Sequence, residues 1–368
     1  MRPTIRRLNA PSRRHLLASA VALAGAPLAA CGGDNSSNQP AAATRRWRLG
    51  FSPNPPRASV ASVLQGIELW SRRAELAIIH VELPWTELLA GMTADALIDR
   101  DTLPLVQVLR GKGLELIYMG DLNDGLSRGQ DAPQLRAAGR SITESAVQAL
   151  YRNYMLAVDR KLAPALLGLA AETNLIRAAA PGLYPAVKQA ANDTAAALRA
   201  AGSRTPLIAS VQVETAWNRL GTAGNYVGIE TDFADFPFIE TLGLSSYPYF
   251  GWPEPEVLPL DYYQRLRGGR TLPLMVVEGG WASASAGSIT SSPDKQARYV
   301  TRHAQLLDNA GASAWLHLQF ADVDLSALPP PVPVNLPLFA SIGLADSNFV
   351  AKPSLAAWDA LFARRLVG

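Results

Sequence analysis

A single cysteine, Cys31, stands among the 368 residues. That excludes a disulfide framework and a zinc site built from cysteines. Histidine is nearly as scarce, four in all, and none sits in HExxH or a similar ligand spacing, so no metal is expected. No GxGxxG follows the first apolar run and no GxxxxGK[ST] occurs anywhere, which leaves dinucleotide and P-loop chemistry without a phosphate cradle. A GxSxG elbow is missing as well, which disfavours a Ser-His-Asp hydrolase. No internal repeat of solenoid length appears, and past residue 30 no apolar run reaches the ~18 residues of a membrane span.

A lasting excess of charge is lacking too. Thirty-four basic residues face 31 acidic ones, but Arg2, Arg6, Arg7, Arg13 and Arg14 all fall in the first thirty positions. Without those five, 29 basic residues face 31 acidic ones, a net charge of −2. The remaining arginines form no stripe interleaved with aromatics, so nucleic acid is not an expected partner. At 48% hydrophobic and 18% charged residues, the chain has material for a core, and wholesale disorder is excluded.

Residues 1–30 have the order of a secretory leader: arginines, then an uncharged apolar stretch over 16–30, then small residues. Leu28-Ala-Ala-Cys31 resembles a bacterial lipobox, which implies cleavage before Cys31, a lipid on its sulfur and a membrane anchor. An incidental thiol after an ordinary cleavage site is the plainer alternative. Ser12-Arg-Arg-His-Leu-Leu17 looks like a twin-arginine export signal, and Gly32 after the cysteine favours outer-membrane sorting. Residues 31–44 are polar and rich in Gly, Ser, Asn and Pro, as a flexible tether would be.

From residue 45 to 368, short apolar runs alternate with helical patterns. Strands are predicted over 47–52, 76–83, 114–120, 165–171, 207–213, 242–246, 274–278 and 314–320. Helices are predicted over 60–70, 141–158, 183–201, 293–309 and 354–362. Ser141-Ile-Thr-Glu144 reads as a capping box, Pro293 as a first helical residue, and Gly202 and Gly311 as left-handed caps. Eight apolar strands separated by helices fit a single-domain α/β fold, a (β/α)8 TIM barrel, better than an open sheet. The proline-dense stretch 327–337 reads either as a stiff rim beside the barrel mouth or as a rigid connector.

In such a barrel, chemistry sits at the C-terminal ends of the strands. Those ends carry Trp85, Asp121, Glu172, Asn174, Gln212, Tyr247, Glu278 and Trp281, with Trp315 in the last strand. Carboxylates for chemistry, amides for hydroxyls and rings for pyranose faces together suggest a sugar site. Trp85, Trp217 and Trp252 read equally well as loop packing. His80 and His317 lie inside strands, where a hydrogen-bonded core histidine is the expected role. Glu172 and Glu278 end buried runs, where a carboxylate is costly unless it is hydrogen-bonded or faces a mouth. Retaining glycoside hydrolysis uses such a pair about 5–5.5 Å apart, one protonated and one ionised.

Glutamates ending strands four and seven resemble those of clan A glycoside hydrolases. The segments Gly168-Leu-Ala-Ala-Glu172-Thr-Asn174, Leu242-Gly-Leu-Ser-Ser-Tyr247-Pro-Tyr, Pro273-Leu-Met-Val-Val-Glu278-Gly-Gly-Trp281, Asp294-Lys-Gln296-Ala-Arg-Tyr299 and Gly343-Leu-Ala-Asp346…Lys352-Pro353 are most similar to family 53, the endo-β-1,4-galactanases, or a divergent relative. The resemblance implies Glu172 as acid/base, Glu278 as nucleophile, Tyr247 as the nucleophile's hydrogen-bond partner, and Trp281 and Trp315 as sugar-stacking rings. It also implies no cofactor, and an oligo- or polysaccharide partner bound by a monomer. Ala171 departs from the pattern, because the family places there the Asn that holds a sugar 2-hydroxyl. Either Asn174 or Gln212 reaches in instead, or catalysis is weak, or the protein is a non-catalytic glycan-binding surface lipoprotein.

Overall fold

The computed structural model describes residues 43–220 and 224–367, so the leader, Cys31 and most of the tether lie outside the described residues. Eight strands form a closed parallel barrel. They are β1 (Arg48–Phe51), β2 (Leu76–Glu82), β3 (Glu115–Asp121), β4 (Leu166–Ala170), β5 (Leu207–Gln212), β6 (Thr241–Ser246), β7 (Leu274–Gly279) and β8 (Ala314–His317). Each pairs with the next, and β8 returns to β1 through Arg48↔Ala314 and Phe51↔His317. Every run expected to be a strand is one. The last is shorter than expected, because the chain leaves the sheet after His317, where Leu318 N–H donates to Gly279 O at 2.9 Å.

Side chains alternate across the barrel wall with the two-residue period of a strand. Leu76, Ile78, Ile117, Met119, Ile208, Met275, Val277 and Leu316 form an interior cluster. The residues between them, among them Ala77, Ile79, Tyr118, Val276 and Trp315, belong to a separate outer layer packed under the helices. Burial of each large apolar side chain contributes about 1.5–3 kcal/mol, which is why both faces of these strands read as apolar.

The surrounding helices include α1 (Val60–Trp70), α2 (Leu103–Gly111), α3 (Ser145–Leu162), α4 (Thr173–Ala179), α5 (Tyr184–Ala200), α6 (Pro293–Ala310) and α7 (Pro353–Phe362). Ser292 caps α6 by accepting from Lys295 N–H at 3.2 Å, and Gly202 and Gly311 are left-handed with φ of 83° and 55°. Helix α3 starts four residues later than the capping box suggested. The Glu144 carboxylate accepts from Ser141 N–H at 2.8 Å, which closes a turn ahead of the helix. Among the described residues, no helix is long and apolar enough to cross a membrane.

Candidate active site

Parallel closure brings all the strand C-termini to one mouth, and there a cavity of about 860 Å3 opens. His80, Asp121, Arg128, Glu172, Gln212, Tyr247 and Glu278 all line it. The expected pair therefore shares one cavity, although 106 residues separate the two in sequence.

Local backbone devices aim both carboxylates. A register shift between Gly168 and Ala170 places Ala171 in the interior cluster, and Glu172 then takes a left-handed conformation at φ 49° as the N-cap of α4. A left-handed conformation in a residue with a side chain is uncommon and concentrates at functional sites. Glu172 N–H donates to Ser210 Oγ at 3.0 Å, which holds the turn. Glu278 is followed by Gly279 and Gly280, at φ 152° and 155°. A Cβ on Gly279 would lie 2.2 Å from Ser246 O, so only glycine lets the end of β7 lie so close to β6.

The two carboxylates have different partners. Glu172 Oε2 accepts from Arg128 Nε at 2.7 Å and Oε1 from Ser245 Oγ at 2.6 Å. Burial raises its pKa above the usual carboxylate value against the pull of Arg128, and the charge of Glu278 pushes the same way as burial. Glu278 accepts from Tyr247 Oη, and its Oε2 lies 2.8 Å from His80 Nδ1. Burial works against ionisation here too, but His80, Arg128 and Tyr247 outweigh it and lower the pKa of Glu278. The environments thus separate the two acids in the direction that one proton donor and one anionic nucleophile need.

His80 is the residue that strand reasoning misplaced. Its other nitrogen, Nε2, lies 3.2 Å from Asp121 Oδ2, so carboxylates stand at both ring nitrogens. A neutral imidazole has one N–H and would turn a lone pair toward one of them; only the imidazolium satisfies both. Burial favours the neutral ring, yet hydrogen bonds and charge from Asp121 and Glu278 raise its pKa to about 10. Arg128 then joins Asp121 to Glu172, so one chain of contacts runs Glu172–Arg128–Asp121–His80–Glu278. Asp121 is held well below the usual range by Arg128 and His80 despite its burial. The signal for His80 lay in the strand period: Leu76 and Ile78 point inward, and so does the residue two further on.

Four expected contacts fall elsewhere. Trp315 is fully buried on the outer face of β8, its ring 4.1 Å from His303 and 4.6 Å from Trp358. Its neighbours Ala314 and Leu316 point inward, so Trp315 must point outward. Trp281 is packed against Tyr299 and Tyr249, with Nε1 donating to Ser291 Oγ at 3.0 Å. Trp85 is fully buried and lines no part of the cavity. All eight tryptophans are buried, Trp217 and Trp252 as mutual loop packing, so none offers a free ring face. Asn174 exchanges hydrogen bonds with the backbone of Gln212, both at 2.8 Å, and braces the start of α4 against β5 from outside the cavity.

Gln212 does line the cavity, but its amide donates to Glu214 and its oxygen accepts from Thr215 N–H. Glu214 lies behind it, fully buried, and accepts from Tyr262 Oη, Ser246 Oγ and Tyr247 N–H. Its burial raises its pKa to about 7. The proline-dense stretch is a rim: Leu328, Asn335 and Leu336 line the cavity, and Asn335 Nδ2 donates to Leu126 O at 2.7 Å across the mouth. Among the described residues, no cluster of His, Cys, Asp or Glu is arranged to hold a metal ion.

These features define an α/β protein with a closed eight-stranded parallel barrel and a carboxylate-lined mouth. Its fold is that of several solved glycoside hydrolase structures. An exo-β-1,4-mannosidase, Op5Man5 from Opitutaceae bacterium strain TAV5, superposes with a TM-score of 0.63 at 17% identity, over 87% of this chain and 59% of that one. A GH5_18 protein from Bifidobacterium longum subsp. longum ATCC 55813, in complex with Manβ1-4GlcNAc, gives 0.60 at 14% identity, over 86% and 78%. A GH113 β-1,4-mannanase gives 0.55 at 14% identity, over 87% and 100%. The chain thus spans about three-fifths of the mannosidase's length. In sequence, no family model and no curated protein matches it.

Proposed function

We propose that this protein is a retaining glycoside hydrolase acting on a β-linked glycan. The observation that carries the reading is the pair Glu172 and Glu278, drawn from β4 and β7 into one cavity with pKa values shifted in opposite directions. Protonated Glu172 gives its proton to the glycosidic oxygen as the Glu278 carboxylate attacks the anomeric carbon. The C–O bond breaks, the alcohol leaves, and a glycosyl ester on Glu278 remains. Ionised Glu172 then takes a proton from water, the water oxygen attacks the same carbon, and the Glu278 carboxylate departs. Tyr247 and His80 hold Glu278 anionic and oriented.

The fold likeness to mannosidase, mannanase and GH5 barrels supports the reaction class, and the segments resembling family 53 support the same two glutamates. The assay is turnover of a panel of β-glycans and aryl β-glycosides by the full chain beside Glu278→Gln. Equal rates for the two proteins would reject the reading.

A second reading, a glycan-binding lipoprotein without turnover, is favoured by the Asn174 and Gln212 amides. Both are spent inside the protein, so neither supplies the contact that Ala171 lacks. Measurable hydrolysis by the wild type removes it. The lipobox supports export and anchoring at the bacterial envelope through Cys31. Intact-mass analysis of the membrane fraction tests that, with an unmodified Cys31 as the contrary result.

A further inference from the structure

From the character of the cavity wall, we infer that the leaving half of the substrate is an apolar aglycone, so that the substrate is an amphiphilic glycoside. This rests on the hydrolase reading and specifies its substrate class. The floor of the cavity is polar, but its cations are taken: Arg128 and His80 are held between carboxylates. The wall is mostly apolar, with Glu82 and Ser127 set into it. Leu126, Leu175, Leu328, Leu336, Leu338 and Phe339 all line the cavity, and all are only half-buried, so each presents surface to it.

Position ties that wall to the departing group. Leu175 lies in the first turn of α4, three residues past Glu172, and Leu126 lies on the loop that carries Arg128. Both side chains therefore flank the acid that would release the leaving group, since Arg128 of the Leu126 loop bonds Glu172. On the loop that Asn335 ties to Leu126, the Phe339 ring meets Tyr247 edge-on at 4.9 Å, and Tyr247 donates to Glu278.

An oligosaccharide would bring several hydroxyls to that wall, and leucines offer them no partner. The amides nearby offer a sugar only what is left after each has given a hydrogen bond to the protein. Asn54 donates to Leu318 O at 3.2 Å, Gln319 to Phe339 O at 3.3 Å, Asn335 to Leu126 O at 2.7 Å, and Gln212 to Glu214. With every tryptophan buried, the aromatic rings that line the cavity are Tyr247, Phe250 and Phe339, two of them phenyl rings with no polar edge for a sugar hydroxyl. An alkyl chain asks for none of these groups and gains from covering the wall.

The test compares methyl, butyl and octyl β-glycosides of glucose, galactose and mannose with the matching β-1,4-disaccharides, below micellar concentrations. Hydrolysis is measured with the wild type, and affinity is measured by calorimetry with Glu278→Gln. A buried methylene contributes about 0.8 kcal/mol, so kcat/KM is expected to rise about three- to fourfold per methylene in contact. The disaccharide should fall below the octyl glycoside of the same sugar. Leu336→Ser and Leu175→Ser should flatten the rise with chain length. Disaccharides turned over as well as or better than octyl glycosides would overturn the inference and leave the hydrolase reading standing. Affinity that rises with chain length, with no turnover of any glycoside, would uphold the apolar subsite and remove the hydrolase. Affinity without dependence on chain length overturns the inference whatever the turnover.

Discussion

Replacing His80 with asparagine, neutral at every pH, isolates what the imidazolium does. Opposite unit charges 2.8 Å apart, as at His80 Nδ1 and Glu278 Oε2, attract by about 6 kcal/mol at an effective dielectric near 20. Desolvation of a buried pair takes back much of that, and a hydrogen bond to a charged group is worth about 1.5–3 kcal/mol net. At 1.36 kcal/mol per pKa unit, losing it raises the Glu278 pKa by about one to two units. Hydrolysis requires Glu278 ionised, so the acid limb of kcat/KM against pH should move up by the same one to two units in His80→Asn. The alkaline limb, which reports the Glu172 proton, should move less. The assay is kcat/KM for an aryl β-glycoside across pH, on protein shown to be folded at each point. An acid limb within about 0.3 units of wild type would refute the assignment of His80 as the group that tunes Glu278.

The pKa of His80 is raised in the folded state to about 10, so its contribution to stability is complete below its ordinary 6.5 and is lost as pH rises through 10. Chemical denaturation should therefore show the wild-type advantage over His80→Asn shrinking across that window. Glu214, raised to about 7 from 4.5, follows the same sign: its share of stability is present below 4.5 and is lost as pH climbs through 7, by about 3 kcal/mol in all. Urea midpoints between pH 4.5 and 8 check this, and the fall should be smaller in Glu214→Gln. Glu172→Ala should lose roughly 10²–10⁴-fold in kcat/KM on alkyl glycosides and much less in kcat/KM on dinitrophenyl glycosides, whose leaving group needs no proton. Trp315→Ala should cost about 3–5 kcal/mol by opening a hole between the barrel and α6–α7, with KM of the folded protein unchanged; a raised KM would put the ring back in the site.

The barrel was legible because its strands are apolar on both faces and lie between helices with distinct caps. The glutamates were legible because a carboxylate ending a run such as Leu274-Met-Val-Val277 has few other places to go. The tryptophans misled because nearness in sequence to a strand end does not say which face a side chain takes. Two-residue parity does say so: it sends Trp315 outward and His80 inward. Parity alone also has limits, since the register shifts beside Ala170 and Ser245 change which residues face inward, and neither has a sequence mark. Arg128 was not legible at all, because its loop position after β3 becomes meaningful only when the barrel brings Asp121 and Glu172 within reach of one guanidinium.

Retaining hydrolysis requires Glu278 to form a covalent bond to sugar. Incubation with dinitrophenyl 2-deoxy-2-fluoro-β-glycosides, followed by digestion and mass spectrometry, reads that bond directly. The expected result is one glycosyl group per chain, on the peptide containing Glu278 and absent from Glu278→Gln. A label on Glu172 or any other residue, or no label from a substrate series the protein demonstrably hydrolyses, would contradict it.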